Sequence, residues 1–282
     1  MSKSNNPLAA AIQTLAATER NSGDYTDDEG FLVCGKCHTR KQLDTELFGT
    51  THRVAVMCEC ANAAYDANIA ALKQMQHDAR ISALRSSGIA DERYRKFTFE
   101  RGDGNDPKAL DICRRYVEHW DEMHASNTGM LFYGDIGTGK TYYACCIANA
   151  LIDKGISAAV TNFPAIISAT QGVFGADRQA IFDRLQRLSL LVIDDLGTER
   201  DTSYGVEQVY NAIDTRYRSG KPLIVTTNLS LQDLQGAPNL AYRRIYDRVL
   251  EMCPIRVKMV GDSRRTGKAN QSRTRAREVL GL

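Results

Sequence analysis

Long apolar runs are missing from this sequence. The longest, such as the one from Leu188 to Ile193, fall far short of the length a membrane span needs, so no membrane partner is expected. The first residues, Met1 to Pro7, have no long apolar core ahead of a small-residue cleavage site, and the expected location is the cytoplasm. A dominant charge is missing too. Lys and Arg number 36 against 34 Asp and Glu, a net of +2. That excludes a histone-like polycation but leaves room for a local basic patch. With 6 Pro and 21 Gly among 282 residues, collagen-like and low-complexity readings fail, and no internal repeat is visible. What remains is 43% hydrophobic and 25% charged, ordinary for a soluble chain long enough to bury a core and to form about two domains. The 8 Cys, in a reducing compartment, read as metal ligands and buried thiols rather than disulfides.

Composition divides the chain. Leu8 to Ala17 is Ala-rich and fits one helix, and the polar run Asn21 to Gly30 reads as a linker. Residues 1–62 thus form an N-terminal helix and a Cys-rich module. Residues 63–106 follow as a connecting helix, over 63–85, and a lead-in. A helix is expected over Lys108–His124. From Gly129 strands and helices alternate. Strands are expected at Met130–Tyr133, Ile156–Thr161, Leu190–Ile193, Leu223–Thr226 and Ile255–Val260. Helices are expected to about Asp153, over Pro164–Leu188 in two stretches, and over Gly205–Arg218. Such alternation implies an α/β fold with a parallel sheet covered by helices on both faces, here over residues 107–263. The tail, 264–282, opens with Arg264 to Arg277, which holds six Arg and Lys and no acid. It is expected to lack fixed structure when unbound and to be compatible with phosphate contacts.

Cys34-Gly-Lys-Cys37 and Cys58-Glu-Cys60 form a C-x2-C pair, twenty intervening residues and a C-x-C pair. Four thiolates at such spacing close a tetrahedral Zn2+ site. A segment this short and polar has little core in which to bury four unligated thiols, and the metal would stand in for that core. His38 and His52 are the alternatives for one of the ligands. Cys113, Cys145, Cys146 and Cys253 show no such pattern and read as small core residues.

Gly134-Asp135-Ile136-Gly137-Thr138-Gly139-Lys140-Thr141 matches the phosphate-binding loop pattern in full, after an apolar strand and at the start of a helix. Its glycines let backbone N–H groups converge on phosphates, Lys140 reaches the β and γ phosphates, Thr141 offers a hydroxyl to Mg2+, and the helix aims its positive end at the same charge. Leu190-Leu-Val-Ile-Asp194-Asp195 ends a buried strand in two carboxylates, which is costly unless a cation meets them. Mg2+ does so through Asp194, while Asp195 stands where a carboxylate orients the attacking water. Asn228 ends another strand and suits alignment of water, although a turn-forming role fits its spacing nearly as well. The run Arg243 to Arg248 carries arginines of the kind that stabilise transferring phosphate, often from a neighbouring subunit, against a solvated basic helix face.

These elements in this order resemble the AAA+ ATPases. Within them the runs Ser87 to Phe99, Asp194 to Glu199, Asn211 to Tyr217 and Pro222 to Asn228 are similar to the DnaC-type helicase loader and IstB-type transposition helper group. The resemblance implies an AAA+ P-loop NTPase preceded by a zinc-binding module. It makes Lys140 and Thr141 the Walker A residues, Asp194 and Asp195 the Walker B pair, Asn228 sensor 1, Arg248 a trans-acting arginine finger and Arg264 a sensor 2 arginine. Asp195 replaces the Glu of many AAA+ proteins, which suits slow, switch-like hydrolysis. The implied function is an ATP-dependent loader of a hexameric replicative DNA helicase, bacterial or phage-encoded. Such a protein binds ATP, Mg2+ and single-stranded DNA and self-associates through its ATPase domain. The alternatives are an IstB-type transposition helper and a nucleotide-gated adaptor with negligible hydrolysis. Phe163 and Phe174 lie in the insertion where members of the group contact DNA, but their spacing reads as core.

Overall fold

The structure is a computed structural model that describes residues 19–47, 49–102, 106–198, 202–261 and 263–281; the helix expected over Leu8–Ala17 lies outside them. The chain forms two compact units, Met1–His77 and Asp78–Leu282. Their boundary falls inside α1 (Glu59–Gly88), the helix that the sequence reads as a connector.

In the first unit, β1 (Tyr25–Thr26) pairs antiparallel with β2 (Leu32–Val33), and β3 (Gln42–Leu47) with β4 (Thr50–Ala55). The run read as a linker is therefore part of the module. Its polar residues are spent on local bonds. Asp27 Oδ1 accepts from the Phe31 and Glu29 N–H groups, and Asp24 is buried. The apolar content is small: Phe31, Leu32, Val33, Cys34 and Cys58 are the buried hydrophobic residues described here.

The second unit is a three-layer α/β/α sandwich. Five strands, β5 (Met130–Gly134), β6 (Ala158–Asn162), β7 (Leu190–Leu196), β8 (Leu223–Thr227) and β9 (Ile255–Met259), form a parallel sheet in the order β6-β7-β8-β5-β9. Successive side chains on a strand face opposite sides, and the two cores follow that rule. Met130, Phe132, Leu190, Val192 and Ile224 join one core. Leu131, Leu191, Ile193, Leu223 and Val225 join the other. The first face is covered by α3 (Pro107–Glu118), α4 (Trp120–Ala125) and α5 (Lys140–Asp153), with Ile81 and Leu84 of α1 and the lead-in, which includes the short α2 (Glu92–Arg95). The second is covered by α6 (Phe163–Thr170), α7 (Gly175–Arg187), α8 (Ser203–Ser219), α9 (Leu231–Gln235) and α10 (Leu240–Met252). Ten of the fourteen residues of α5 are buried, as expected of a helix apolar on nearly every side. Cys113, Cys145, Cys146 and Cys253 are fully packed, and burial pushes the Cys146 thiol up to about 12.

The expected helix over Lys108–His124 is two helices. α3 starts at Pro107 under an Asp106 cap and stops at His119, where ψ turns to 28° and α4 restarts with Trp120 buried. β6 starts at Ala158 rather than Ile156, because Gly155 ends the preceding turn at φ 76°. The basic tail is helical: α11 spans Arg264–Leu280 and ends on the left-handed Gly281. Arginine is a strong helix former, and the first residue of α11 is tied to the body, as described below.

Candidate functional site

Four sulfurs converge in the first unit. Cys34 and Cys37 flank a tight turn in which the Cys34 N–H donates to Thr39 O and the His38 N–H to Cys34 O. His38 takes a left-handed φ of 56° to close it. Cys58 precedes α1 and Cys60 lies in its first turn. All four ligand atoms lie within 4.8 Å of one another. Cys34 Sγ is 3.6 Å and Cys58 Sγ 3.4 Å from Cys60 Sγ. A tetrahedral site with Zn–S bonds of about 2.3 Å has sulfur–sulfur edges of about 3.8 Å, so the cluster fits such an ion with little adjustment. Hydrogen bonds from Thr39 and from backbone N–H groups hold the Cys37 thiol down at about 5, whereas the crowding sulfurs of Cys58, Cys37 and Cys34 push Cys60 up to about 12. The histidine alternatives are not brought in. His38 Nδ1 lies 3.3 Å from the Tyr25 hydroxyl and His52 Nε2 2.7 Å from Thr50 Oγ1. Sequence reasoning missed the support beneath the cluster. Asp24 accepts from the Gly35 N–H at 3.1 Å and pairs with Lys41 at 2.8 Å, both side chains being buried. The Lys41 hydrogen bond holds the Asp24 carboxyl at about 2. Asp24 thus pins the loop that carries the first two sulfurs.

In the second unit the phosphate loop joins β5 to α5 at the C-terminal edge of the sheet, where the strand order reverses and α/β folds bind ligands. Gly134, Gly137 and Gly139 all have positive φ, at 129°, 83° and 102°. Two of them are also needed for space: a Cβ on Gly134 would lie 2.2 Å from Met259 O and one on Gly137 2.2 Å from Ser263 Oγ. Thr138 is buried and donates to Asp135 O. Asp135 and Ile136 face solvent. Lys140 is buried and donates to Gly134 O and Asp135 O at 2.9 and 2.6 Å, spanning the hollow of the loop.

Thr141 Oγ1 donates to Asp194 Oδ1 at 2.8 Å, which joins the loop to the carboxylate strand. Asp194 is buried, and that burial raises its carboxyl pKa against the opposing hydrogen bonds of Thr226 and Thr141. The strand is not regular there. Ile193 pairs with Val225 and Leu196 with Thr227, so β7 advances three residues while β8 advances two. The extra residue is a bulge, and Asp195 sits in it at φ 56°, a left-handed conformation that Asp tolerates better than most residues. Thr226 of β8 holds this bulge: its Oγ1 accepts from the Asp195 N–H at 2.9 Å and donates to Asp194 Oδ1 at 2.6 Å. The sequence reading passed over Thr226, although it lies within the string Pro222 to Asn228. Tyr94 was also missed. Its hydroxyl lies 3.5 Å from Asp194 Oδ2, and Asn149 of α5 fixes its backbone by donating to Tyr94 O and Phe97 O.

Asn228 is exposed one residue beyond β8, at the same end of the sheet but outside the hydrogen bonds that tie Thr141, Asp194 and Thr226 together. Arg264 lies on the loop. Its N–H donates to Gly137 O at 3.0 Å, its guanidinium stands 5.6 Å above the Tyr143 ring, and a Cβ on Gly139 would lie 2.9 Å from its Cζ. Arg248 lies on α10 and is held by α8. It pairs with Asp214 and stands 4.9 and 5.3 Å over the rings of Tyr210 and Tyr217. Phe163 is core, as expected, but Phe174 is not: at the N-cap of α7 it is 75% exposed, with the Arg178 guanidinium 5.2 Å above its ring.

A parallel five-stranded sheet with a complete phosphate loop and an adjoining pair of carboxylates at its C-terminal edge defines an AAA+ P-loop protein. Residues 67–272 match the family model described as IstB-like ATP binding protein. The chain belongs to that family, an ATP-binding group, and within it to the DnaC type. It is 31% identical over 144 residues to the replicative helicase loader DnaC of Escherichia coli strain K12, covering 50% of this chain and 56% of that protein. It is 30% identical over 174 residues to the replicative helicase loader DnaC of Buchnera aphidicola subsp. Schizaphis graminum, covering 59% and 68%. The chain thus spans little more than half the length of the first of these relatives. The crystal structure of DnaI shares the fold, with a TM-score of 0.53 at 20% identity over 64% of this chain and 98% of that one. No helix among the described residues is long and apolar enough to cross a membrane.

Proposed function

We propose that this protein is an ATP-dependent loader of a replicative DNA helicase that binds single-stranded DNA and uses hydrolysis as a switch. The observation that carries this reading is the joining of the phosphate loop to the carboxylate strand through Thr141 and Asp194, in a chain of the DnaC type. Lys140 moves from its carbonyls onto the β and γ phosphates. Thr141 and Asp194 would hold Mg2+, which when bound would supply charge neutralisation to the phosphate oxygens. Asp195 orients water for in-line attack on the γ phosphorus. The new P–O bond forms as the bond to the bridging oxygen breaks, giving ADP and phosphate. Asn228 aligns that water, Arg248 of a neighbouring subunit stabilises the transferring charge, and Arg264 senses the nucleotide from the loop's rim. The four cysteines hold Zn2+, and the module they close docks the helicase. The exposed Phe174, with the half-buried Arg178 over its ring, favours contact with unstacked bases.

The test is reconstitution with the host's purified replicative helicase on closed circular single-stranded DNA. ATP-dependent complex formation and helicase transfer to the circle are expected. Failure to bind the helicase, together with ATP-dependent assembly on duplex DNA that recruits a transposase, would overturn the loader in favour of the IstB-type helper. The family match over residues 67–272 is what supports that second reading.

A further inference from the structure

The basic helix α11 begins on the phosphate loop. Ser263 and Arg264 fill the space left by the missing side chains of Gly137 and Gly139, and the Arg264 N–H is bonded to Gly137 O. Gly139 is the N-cap of α5 and has no side-chain cap. The loop N–H groups there are the ones a phosphate would accept from, so phosphate arriving in the loop and the first residue of α11 meet at one place. Beyond that contact the helix is cationic. Residues 264–277 hold six Arg and Lys and no acid; Arg273, Arg275 and Arg277 are exposed, and no described residue of α11 joins either core layer.

The chemistry of this helix selects its partner. From Arg264 to Arg277 the only apolar side chains are those of Ala269 and Ala276, so that stretch has no apolar stripe for a membrane or a partner helix; the exposed Val279 and Leu280 are confined to the last turn. Five of its six cations are arginine, whose fork matches phosphate oxygens in pairs. The described arginines are also distributed around the axis. At 3.6 residues per turn, Arg264 and Arg275 share one side, while Arg273 and Arg277 share the opposite one. A rigid duplex would meet one side; a flexible single strand can wrap both.

We propose that α11 is a nucleotide-gated arm for single-stranded DNA. Phosphates in the loop attract Arg264 and seat the first turn of the helix, and the arginines beyond it grip the phosphate backbone of the strand. ATP and single-stranded DNA then strengthen each other's binding, because a coupling between two sites is reciprocal. This arm rests on the reading above that the chain binds both ligands.

The experiment is fluorescence anisotropy of a labelled oligo-dT with the full chain across a salt series, with and without a non-hydrolysable ATP analogue and Mg2+. The variants are the triple R273A/R275A/R277A and the single R264A. The triple variant is expected to bind the analogue as wild type but to lose about 2 from the slope of log affinity against log salt, at about 0.7 per lost phosphate contact. R264A, read at an analogue concentration that saturates it, is expected to lose the nucleotide-dependent gain, which for coupled sites is about 5- to 150-fold. A triple variant with wild-type affinity and slope removes the arm. So does R264A that keeps the full gain, or a triple variant that loses duplex binding alone. If wild-type protein binds no oligonucleotide at all, the DNA part of the proposed function falls as well; if wild type and triple variant bind alike, only the arm falls.

Discussion

Thr226→Val removes one oxygen and nearly nothing else, and the geometry around it sets the result. The Thr226 side chain is fully buried. Its hydroxyl donates to the buried Asp194 carboxylate and accepts from the N–H of Asp195 in the bulge. Valine fills the same volume but leaves the carboxylate short of a charge-assisted bond, worth about 1.5–3 kcal/mol, and the Asp195 N–H without a partner, at about 1–3 kcal/mol. A net loss of about 3 kcal/mol would lower the melting temperature of a unit this size by about 6–12 °C. Thr226→Ser keeps the oxygen and loses only a methyl, about 1 kcal/mol. The catalytic effect separates in the same way. The phosphate loop is untouched, so nucleotide affinity should hold, while the hydrolysis rate drops because Asp195 no longer has a fixed direction. Scanning calorimetry on both variants, with single-turnover hydrolysis beside it, tests this. A valine variant that melts and hydrolyses like the serine variant would refute the claim that Thr226 shapes the carboxylate pair.

Further outcomes follow from the same geometry. Burial raises the Asp194 carboxyl pKa and so opposes its charged form, so Asp194→Asn should melt higher than wild type without nucleotide and lose most of the added stability that ATP and Mg2+ give; thermal shift with and without ligand checks both signs. Arg248→Ala should keep ATP binding but lose hydrolysis that depends on assembly by about 10³-fold or more, and Asp214→Asn, which frees the pairing that holds Arg248 on α8, should lower it less. Titrating hydrolysis against protein concentration decides this, with unchanged rates counting against the finger. Cys58→Ser should drop the zinc content measured by mass spectrometry, and Asp24→Asn should speed zinc loss to a chelator about ten-fold or more, the range that supporting groups of metal sites control. Equal chelator kinetics in Asp24→Asn would leave the Asp24–Gly35 bond without a role in the site.

The parts of the site that were legible in the sequence are those where chemistry demands a residue type at a fixed spacing along one segment. The phosphate loop needs glycine at positive φ and a lysine at its end, and Gly134, Gly137, Gly139 and Lys140 sit as that requirement predicts. The four cysteines converge because two short turns each carry two of them. The strands were legible for a related reason: a sheet buried on both faces writes its apolar runs into consecutive residues. Boundaries were less so, since a cap such as Asp106 or a break such as His119 acts through one residue.

What stayed hidden depends on pairs of segments. Two adjacent aspartates on a regular strand would face opposite sides of the sheet. That alternation is broken here because β7 carries an extra residue relative to β8, and that is a property of the pairing between strands 31 or 32 residues apart. Thr226 is visible only once that pairing exists, as Asp24 is visible only once Gly35 and Lys41 fold onto it. Phe174 was misread as core because an aromatic in a helical stretch usually turns inward; here it caps α7 and points out. The tail was misread through composition, since a run of like charges says nothing about an anchor. That anchor, Arg264 on Gly137, lies 127 residues away along the chain. It makes the basic helix an extension of the phosphate loop, so nucleotide state and tail position should be one equilibrium rather than two.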